Sequence, residues 1–549
     1  MSEAGRIADE YSAYRDRTDH LAALWMGDVD QLDGWEDHSP AGSDRHRHEL
    51  LAFAGRAEAI EANPIGRDQA LLETIAFTAG SLATQLEWRD EFELPNPEVG
   101  IHSLILTFLP RYPLRSTEHG RAYLGKIATL GQMFDGLNAR LRESADRGRV
   151  PIRPLIATTI DRLDRHLAAN RDPLAGQPAP SENPDPDWAR KLKAALEEHA
   201  RPALESFRET LATHSLPAAP PEDKAGICHL PGGEDGYRRL IGAHTSLDLD
   251  AQTVHRIGLE QVERLEDEYL RLAGPLLGTR SIAEIYAGLR NDPQLHYASA
   301  EDLVADARVA LARAVDAMGG WFASVPEARC EAEAIDQGAL AFYSRPSASV
   351  GKPGIFYFNT SDPTMWGTFQ LEAVTFHEGV PGHHLQLALA LELAGLHPVH
   401  SKLYIAAFNE GWGLYSERLA DEMGLYTSDL ARVGMLSADS MRACRLVVDT
   451  GIHGLGWSRT EAVQYMKDHS PMTHRQVTGE IDRYIGDPGQ ALGYMIGRLE
   501  IDGIRAEAEA ELGGSFDIRA FHECVLGNGT VPLPTLKRMV TEWVSATRG

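Results

Sequence analysis

The sequence predicts a mainly α, large multi-helical fold with a small strand element at the edge of a cleft. Residues 187–214 and 253–273 combine strong helix formers with apolar residues spaced by three and four positions, which is typical of helices. Residues 341–360 differ, because aromatic and β-branched residues are mixed there with glycine and proline, as in short strands. The 549 residues exceed what one small core can organise, so we expect a very large helical domain or two lobes.

Two proline-rich polar segments divide the chain, residues 171–187 and 215–236, and both are typical of linkers or long loops. We place the boundary near the second segment. This predicts an N-terminal helical lobe over residues 1–225 and a catalytic, metal-binding helical lobe over residues 226–549. Residues 370–396 are predicted to form a buried helix, because helix formers separate their alternating leucines.

The composition excludes several classes of protein. Hydrophobic residues make up 43% and charged residues 24%, as in ordinary globular proteins. No apolar run approaches about 18 residues, and the polar start lacks the pattern of a secretory signal, so we expect no membrane span and no export. A formal charge of −27 repels phosphate backbones and argues against nucleic acid. Four widely separated cysteines argue against thiolate zinc sites and disulfides, and favour a reduced, cytoplasmic compartment.

The pairs His377-Glu378 and His383-His384 form the most informative stretch. Zinc hydrolases commonly use H-E-x-x-H on a helix, where two histidines bind the ion and the glutamate activates water. Here the second histidine follows the first by six or seven residues, which in a continuous helix is a rise of about 9 Å or more. One zinc ion with nitrogen ligands at about 2.1 Å cannot readily join histidines that far apart. The helix must therefore be interrupted if the motif binds one ion.

Pro381 and Gly382 supply that interruption. Proline lacks an N–H, and its ring clashes with the carbonyl four residues back, which belongs to His377. Glycine permits a sharp turn. A kinked insertion would return His383 or His384 to the ion. The alternative is that these are ordinary buried or surface histidines, which the combination of a His-Glu pair, a break and a double histidine disfavours.

A third ligand is expected from the acidic residues of the next helix. Glu410 and Glu417 lie seven residues apart and so share a helix face, where one would bind directly and the other would orient a histidine. Glu410 stands in Asn-Glu-Gly-Trp-Gly, whose small residues allow another segment to approach closely. We therefore prefer Glu410, while a solvated helix face is the alternative for either carboxylate.

Together with further segments of the chain, these motifs resemble the bacterial domain of unknown function 885 family over about residues 200–545. The resemblance implies kinship with gluzincin-like metallopeptidases, with neurolysin-like and carboxypeptidase Taq-like families as architectural analogues. In those families a glutamate about thirty residues after the first histidine completes the site, and a Gly-His pair carries the second ligand. The segments that carry the resemblance are HEGVPGHHLQ, NEGWGLYSE, RLVVDTGIHGLGW, DPGQALGYMIG, GICHLPGGEDGY and PGIFYFNT.

The resemblance implies His377, His383 and Glu410 as ligands, with His384 in reserve and Glu378 as the base. Glu410 follows His377 by 33 residues, which a two-residue insertion accommodates. A late tyrosine stabilises the oxyanion in neurolysin-like enzymes, so the resemblance makes Tyr494 the candidate donor. A packed tyrosine with an exposed hydroxyl is the alternative.

Further polar residues are candidates for the surroundings of the site. Arg445, Asp449 and His453 are spaced by four and would form either a polar relay or ordinary helix-surface pairs. Gln490 and Arg498 flank Tyr494 at the same spacing, and Arg498 is expected to bind a substrate carboxylate or, preferably, a structural acid. The remaining candidates are Tyr357 and Asn359. They lie on a presumed edge strand, which could bind an extended substrate by strand addition.

These residues together predict a zinc-dependent metallohydrolase with one Zn²⁺ per chain, acting on a peptide or a small amide-containing substrate. A His/His/Glu set also suits Mn²⁺ or Co²⁺. The alternatives are a metal-dependent amidase or esterase acting on a small molecule in a biosynthetic pathway, and a non-catalytic, metal-bound binding protein. Glu378 argues against the last, because a structural metal needs no base.

Overall fold

The computed structural model describes residues 2–26, 32, 34–60, 66–92, 95–169, 172–336, 340–347 and 351–548. The fold is mainly helical with one small sheet, as predicted. Among the described helices, none combines the length and apolar character that a membrane span requires.

Eleven helices precede residue 225 in the described part of the chain. They are α1 (Glu3–Thr18), α2 (His20–Met26), α3 (Pro40–Glu58), α4 (Arg67–Phe92), α5 (Ile101–Phe108), α6 (Thr117–Ala128), α7 (Leu130–Asp146), α8 (Arg153–Ala168), α9 (Trp188–Ala195), α10 (Arg201–Thr210) and α11 (Leu216–Ala218).

The second half of the chain carries the remaining described helices and all described strands. The helices are α12 (Gly233–Thr245), α13 (Ala251–Leu277), α14 (Ile282–Asn291), α15 (Ala300–Ala317), α16 (Leu371–Glu378), α17 (His383–Glu392), α18 (Ala406–Glu422), α19 (Asp429–Leu455), α20 (Arg459–Asp468), α21 (His474–Gly486), α22 (Leu492–Leu512), α23 (Ile518–Leu526) and α24 (Leu533–Arg548). The strands are β1 (Cys330–Ile335), β2 (Ala341–Ser344) and β3 (Gly354–Asn359).

The strands form one sheet in the order β1-β3-β2, with β1 parallel and β2 antiparallel to β3. The predicted strand pair is therefore present as β2 and β3, although residues 348–350 between them lie outside the described residues. The sequence did not predict β1, which runs beside β3 from Cys330 paired with Gly354. Because β3 lies between two strands, it is not the edge strand that the sequence suggested.

The predicted linker at 215–236 is a packed segment rather than an open loop. It contains short helical turns, and Ala225 and Ile227 are fully buried in a large apolar core. The backbone N–H of Ile227 donates to Nδ1 of His453 on α19 at 3.2 Å. The predicted linker at 171–187 begins at residue 171, outside the described residues, and then forms a helical turn over Pro173–Gly176. The two-lobe division stays a prediction.

Helices α16 and α18 lie between two apolar cores, and this position fixes the polar motif. One core contains Ala373 and Leu414, while the other contains Phe376 and Trp412. The buried helix predicted over residues 370–396 is present as two helices, α16 and α17. On α17 the helical spacing decides which leucines are buried: Leu385 and Leu389 are, whereas Leu391 is exposed.

Candidate metal centre

The break between His377 and His383 is a four-residue turn, as the proline and glycine predicted. Helix α16 ends at Glu378, and α17 begins at His383. A Cβ on Gly382 would lie 1.9 Å from the carbonyl oxygen of His377, so only glycine fits this turn. The indole of Trp412 donates to the carbonyl of Pro381 at 3.0 Å and fixes the turn against α18.

The turn brings the rings of His377 and His383 together. Their centroids lie 4.7 Å apart with the ring planes 83° from parallel. Oε2 of Glu410 lies 3.5 Å from Nε2 of His377 and 3.4 Å from Nε2 of His383. Ligands about 2.05 Å from a tetrahedral zinc ion are about 3.3 Å from one another. These spacings are longer than good hydrogen bonds and fit a shared cation, so the three buried side chains suit a divalent metal.

The electrostatics of the three residues also suit a cation. Burial disfavours a charged His377, but the neighbouring carboxylates of Glu410 and Glu417 outweigh burial and raise the pKa of His377 to about 9. Burial opposes a charged Glu410 as well, but His383 and His377 hold its pKa well below the ordinary value. Glu410 therefore presents a carboxylate, and a proton on His377 occupies the position that a metal would take.

Glu417 orients His377 from the far side of the ring. Its Oε1 lies 2.8 Å from Nδ1 of His377, and the side chain is 1% exposed. This arrangement leaves Nε2 for the ion, as in the carboxylate–histidine–metal arrangement of zinc proteins. Gly413, between the two glutamates on α18, allows the close approach, because its Cβ would lie 2.7 Å from a ring carbon of His377.

His384, the reserve ligand, does not belong to this cluster of described residues. Its Nδ1 contacts the hydroxyl of Tyr343 at 2.9 Å, and its Nε2 contacts the carbonyl of Ala328 at 3.0 Å. Both nitrogens are therefore engaged. Burial lowers the pKa of His384 to about 4, which keeps the ring neutral.

Glu378 lies beside the cluster without being one of its three members. It is half-buried, and burial raises its pKa, while His377 and His383 lower it. A carboxylate next to the ligands with a raised pKa is suited to take up a proton.

Tyr494, on α22, faces the cluster together with arginines. Burial, and then the charge of Glu410, raise the pKa of Tyr494, so its hydroxyl stays a hydrogen-bond donor. The guanidinium carbon of Arg445 lies 4.3 Å from the centre of the Tyr494 ring, and that of Arg442 lies 5.9 Å from it. Tyr494 therefore contacts two guanidinium groups through its ring, and the charge of a ligand carboxylate acts on its hydroxyl.

Arg445, Asp449 and His453 do not form the relay that the sequence suggested as one alternative. Arg445 donates to Tyr484 and Glu480, whereas Asp449 accepts from the hydroxyl of Tyr237 and the backbone of Gly489. His453 contacts the carbonyl of Tyr484 at 3.0 Å and the backbone N–H of Ile227. Asp449 and His453 thus join α19 to neighbouring segments through separate partners.

Gln490 and Arg498 have structural partners. Arg483 donates to Oε1 of Gln490 at 2.8 Å, and Arg498 donates to the buried Asp439 at 3.3 Å. Arg498 also lines a cavity of about 320 Å³ with two other arginines, Arg264 and Arg418. The preferred expectation, a structural acid for Arg498, agrees with this pair.

Tyr357 and Asn359 lie on β3, the central strand, so the predicted strand addition there is wrong. Both edges of β3 are paired, with β1 and with β2. The Asn359 side chain accepts from Ser361, and the Tyr357 ring packs on Phe342 with centroids 5.0 Å apart. An added strand would have to pair with β1 or β2 instead.

Sequence reasoning missed three groups beside the cluster. The Tyr404 hydroxyl donates to Oε1 of Glu410, a guanidinium nitrogen of Arg442 lies 3.8 Å from Oε1 of Glu417, and Arg483 joins the arginines near Tyr494. Arg442 precedes Arg445 by three residues and could have been found as its neighbour on α19. Tyr404 and Arg483 carry no such local signal.

The family of the chain follows from comparison with known proteins. The sequence profile of the family described as bacterial protein of unknown function (DUF885) matches residues 21–540. The chain belongs to this family. A search of curated proteins finds no match.

Two solved structures share the fold of this DUF885 protein. A candidate lipoprotein from Colwellia psychrerythraea is 25% identical, with a TM-score of 0.92 over 100% of both chains. A candidate lipoprotein of unknown function from Shewanella oneidensis is 15% identical, with a TM-score of 0.69 over 98% of this chain and 100% of that one, which shows the fold alone. "Lipoprotein" describes those proteins, and the cytoplasmic compartment expected for this chain stays a prediction.

Proposed function

We propose that this DUF885 protein is a zinc-dependent metallohydrolase, and specifically a peptidase or a hydrolase of peptide-like amides. The observation that carries the proposal is the spacing of about 3.4–3.5 Å between Glu410 Oε2 and the Nε2 atoms of His377 and His383. That spacing supports one shared ion, with Mn²⁺ or Co²⁺ as possible substitutes for Zn²⁺.

The side chains around the ligands supply the remaining parts of an amide hydrolysis. A bound ion would polarise the scissile carbonyl and activate water. Glu378 accepts the proton of the attacking water and delivers it to the amine, as the new C–O bond forms and the C–N bond breaks. The Tyr494 hydroxyl donates to the oxyanion, and Glu417 keeps the His377 ring in place.

This proposal includes kinship with the gluzincin-like metallopeptidases and their neurolysin-like architecture. It is supported by the order of residues along the chain: a His-Glu pair on one helix, a second histidine after a turn, and a glutamate 33 residues after the first histidine on α18. Glu378 favours the proposal over a non-catalytic binding protein, because a structural metal needs no base beside its ligands.

The test compares zinc-loaded and chelator-treated protein on a mixed library of peptides, with the products read by mass spectrometry. We expect cleavage only in the zinc-loaded sample, with its loss in Glu378→Gln and its retention in Glu422→Gln. Glu422 is a matched control, because it lies on α18 but pairs with Arg505 at the surface. Cleavage that survives in metal-free protein would contradict the proposal, and cleavage of esters or small amides alone would favour the small-molecule alternative.

A further inference from the structure

Three arginines gather beside the candidate metal centre on the side of Tyr494. Arg442 and Arg445 come from α19, and Arg483 comes from α21. Arg442 and Arg445 contact residues of the centre or the Tyr494 ring, and Arg483 joins them by sharing the carboxylate of Glu480 with Arg445. Arg442 lies 3.8 Å from Glu417, which contacts His377, while Arg442 and Arg445 both lie over the Tyr494 ring.

The three guanidinium groups share a small number of close ion pairs. Arg445 and Arg483 share one carboxylate, that of Glu480, at 2.8 and 3.1 Å. The ion pair of Arg442 with Glu417 is longer, at 3.8 Å, and Oε1 of Glu417 also contacts His377. Among the described residues, the three guanidinium groups therefore have two carboxylates within ion-pair distance, Glu480 and Glu417.

Two guanidinium nitrogens in this group, Nε of Arg442 and Nη1 of Arg445, lack a hydrogen-bond partner among the described residues. Arg445 is 5% exposed, and within the described residues its second terminal nitrogen, Nη1, is buried without an acceptor. A buried donor without a partner is unfavourable, and more so when it is charged. Arg483 and Glu480 are partly exposed, at 19% and 24% of their side chains, so solvent reaches the group from their side.

We infer that Arg442, Arg445 and Arg483 bind a free carboxylate of the substrate, which makes this protein a hydrolase of amide bonds close to a carboxyl terminus. A carboxylate would accept from Arg445 Nη1 and give the three guanidinium groups a further counter-ion, and guanidinium groups bind carboxylates in two-point contacts. This inference rests on the proposed hydrolase function. It defines the substrate class as peptides, or N-acyl amino acids, with an unblocked carboxyl end.

The kinetic test uses pairs of N-blocked dipeptides that differ only in a free carboxylate or a carboxamide at the end. With zinc-loaded protein we expect kcat/KM to be about 100-fold higher for the acid, because the amide leaves a buried guanidinium group without its ionic partner. Arg442→Gln and Arg483→Gln should reduce this preference to below about 10-fold. Arg505→Gln, which removes a surface pair with Glu422, should leave it unchanged. Equal hydrolysis of acid and amide would overturn the inference and leave the proposed hydrolase intact.

The binding test separates failure of the inference from failure of the proposed function. Calorimetry on Glu378→Gln, with zinc and with chelator, measures the affinity of the same acid and amide without turnover. We expect the acid to bind more tightly in both conditions, and Arg442→Gln to remove the difference. If wild-type protein hydrolyses nothing, this preference still supports the carboxylate site. If acid and amide bind equally, the inference is wrong whatever the activity. Arg445 is left unchanged because its bonds to Glu480 and Tyr484 also support the fold.

Discussion

The imidazole rings of His377 and His383 lie with their centres 4.7 Å apart, although the two residues are six positions apart in the sequence. A continuous helix would place them about 9 Å apart along its axis. The turn over residues 379–382 removes that separation, and Glu410 then closes the triangle from α18. The candidate metal centre therefore depends on a break in a helix rather than on a regular helix face.

Replacement of Gly382 by alanine should abolish tight zinc binding. The new Cβ would lie 1.9 Å from the His377 carbonyl oxygen, so the turn must open and separate the two histidines. The double variant Pro381→Ala/Gly382→Ala favours a continuous helix and should lose zinc while keeping its helical content. Zinc affinity and circular dichroism are measured together. The control is Gly503→Ala on α22, where the added Cβ meets nothing within 4 Å. Wild-type zinc affinity in a folded Gly382→Ala variant would refute the kinked site.

Three glutamates on α18 should separate direct ligation from orientation. Glu410→Gln removes a ligand and should reduce zinc affinity most. Glu417→Gln removes the partner of His377 Nδ1 and should cost about 10- to 100-fold, as such outer partners do. Glu422→Gln should change nothing. Competition titrations with a zinc chelator give the three values, and a larger loss in Glu417→Gln than in Glu410→Gln would mean that the roles are reversed.

Glu378→Gln should keep zinc and lose turnover. The side chain lies beside the three ligands and is assigned the role of base, so its charge is needed for chemistry and not for binding. We expect kcat to fall by about 100-fold or more. Steady-state kinetics with zinc content measured on the same sample tests this. Unchanged turnover, or a loss of zinc, would show that the base is misassigned.

Asp449 predicts a pH dependence of stability that is independent of the metal. Burial raises its pKa from 3.8 to about 7, so between those values the folded chain holds a proton that the unfolded chain has lost. This contribution to stability is greatest below about pH 4 and decreases as the pH rises towards 7. Between pH 5 and pH 8 the free energy of unfolding of the wild type, relative to Asp449→Asn, should fall by about 2 kcal/mol. Urea unfolding at both pH values measures it, and a parallel dependence in the two proteins would contradict the assignment.

Much of the fold was predictable because it is encoded locally. Helix formers with three- and four-residue spacing predicted the helices, and Pro381 with Gly382 predicted the turn between α16 and α17. The strand order was not predictable, because β1 returns to pair with β3 from outside the segment with strand-like composition. That pairing made β3 central and removed the expected edge.

The candidate site was predictable only where its residues lie close together in the sequence or on the next helix. The stretch from His377 to His383 carries a recognisable motif, and Glu410 was found by looking for an acid on the next helix. Tyr404, Arg442 and Arg483 come from a loop and two helices, and they meet only after α18, α19, α21 and α22 pack together. No spacing of residues within one segment predicts that these three side chains lie near the same site.

The most direct measurement of the central claim is the zinc stoichiometry of the purified protein by equilibrium dialysis and elemental analysis, in wild type and in His383→Ala. We predict one tightly held ion per chain in the wild type and none in the folded variant, because His383 supplies one of three ligands. A wild-type protein that binds no divalent ion, or a His383→Ala protein that still binds one with unchanged affinity, would contradict the account.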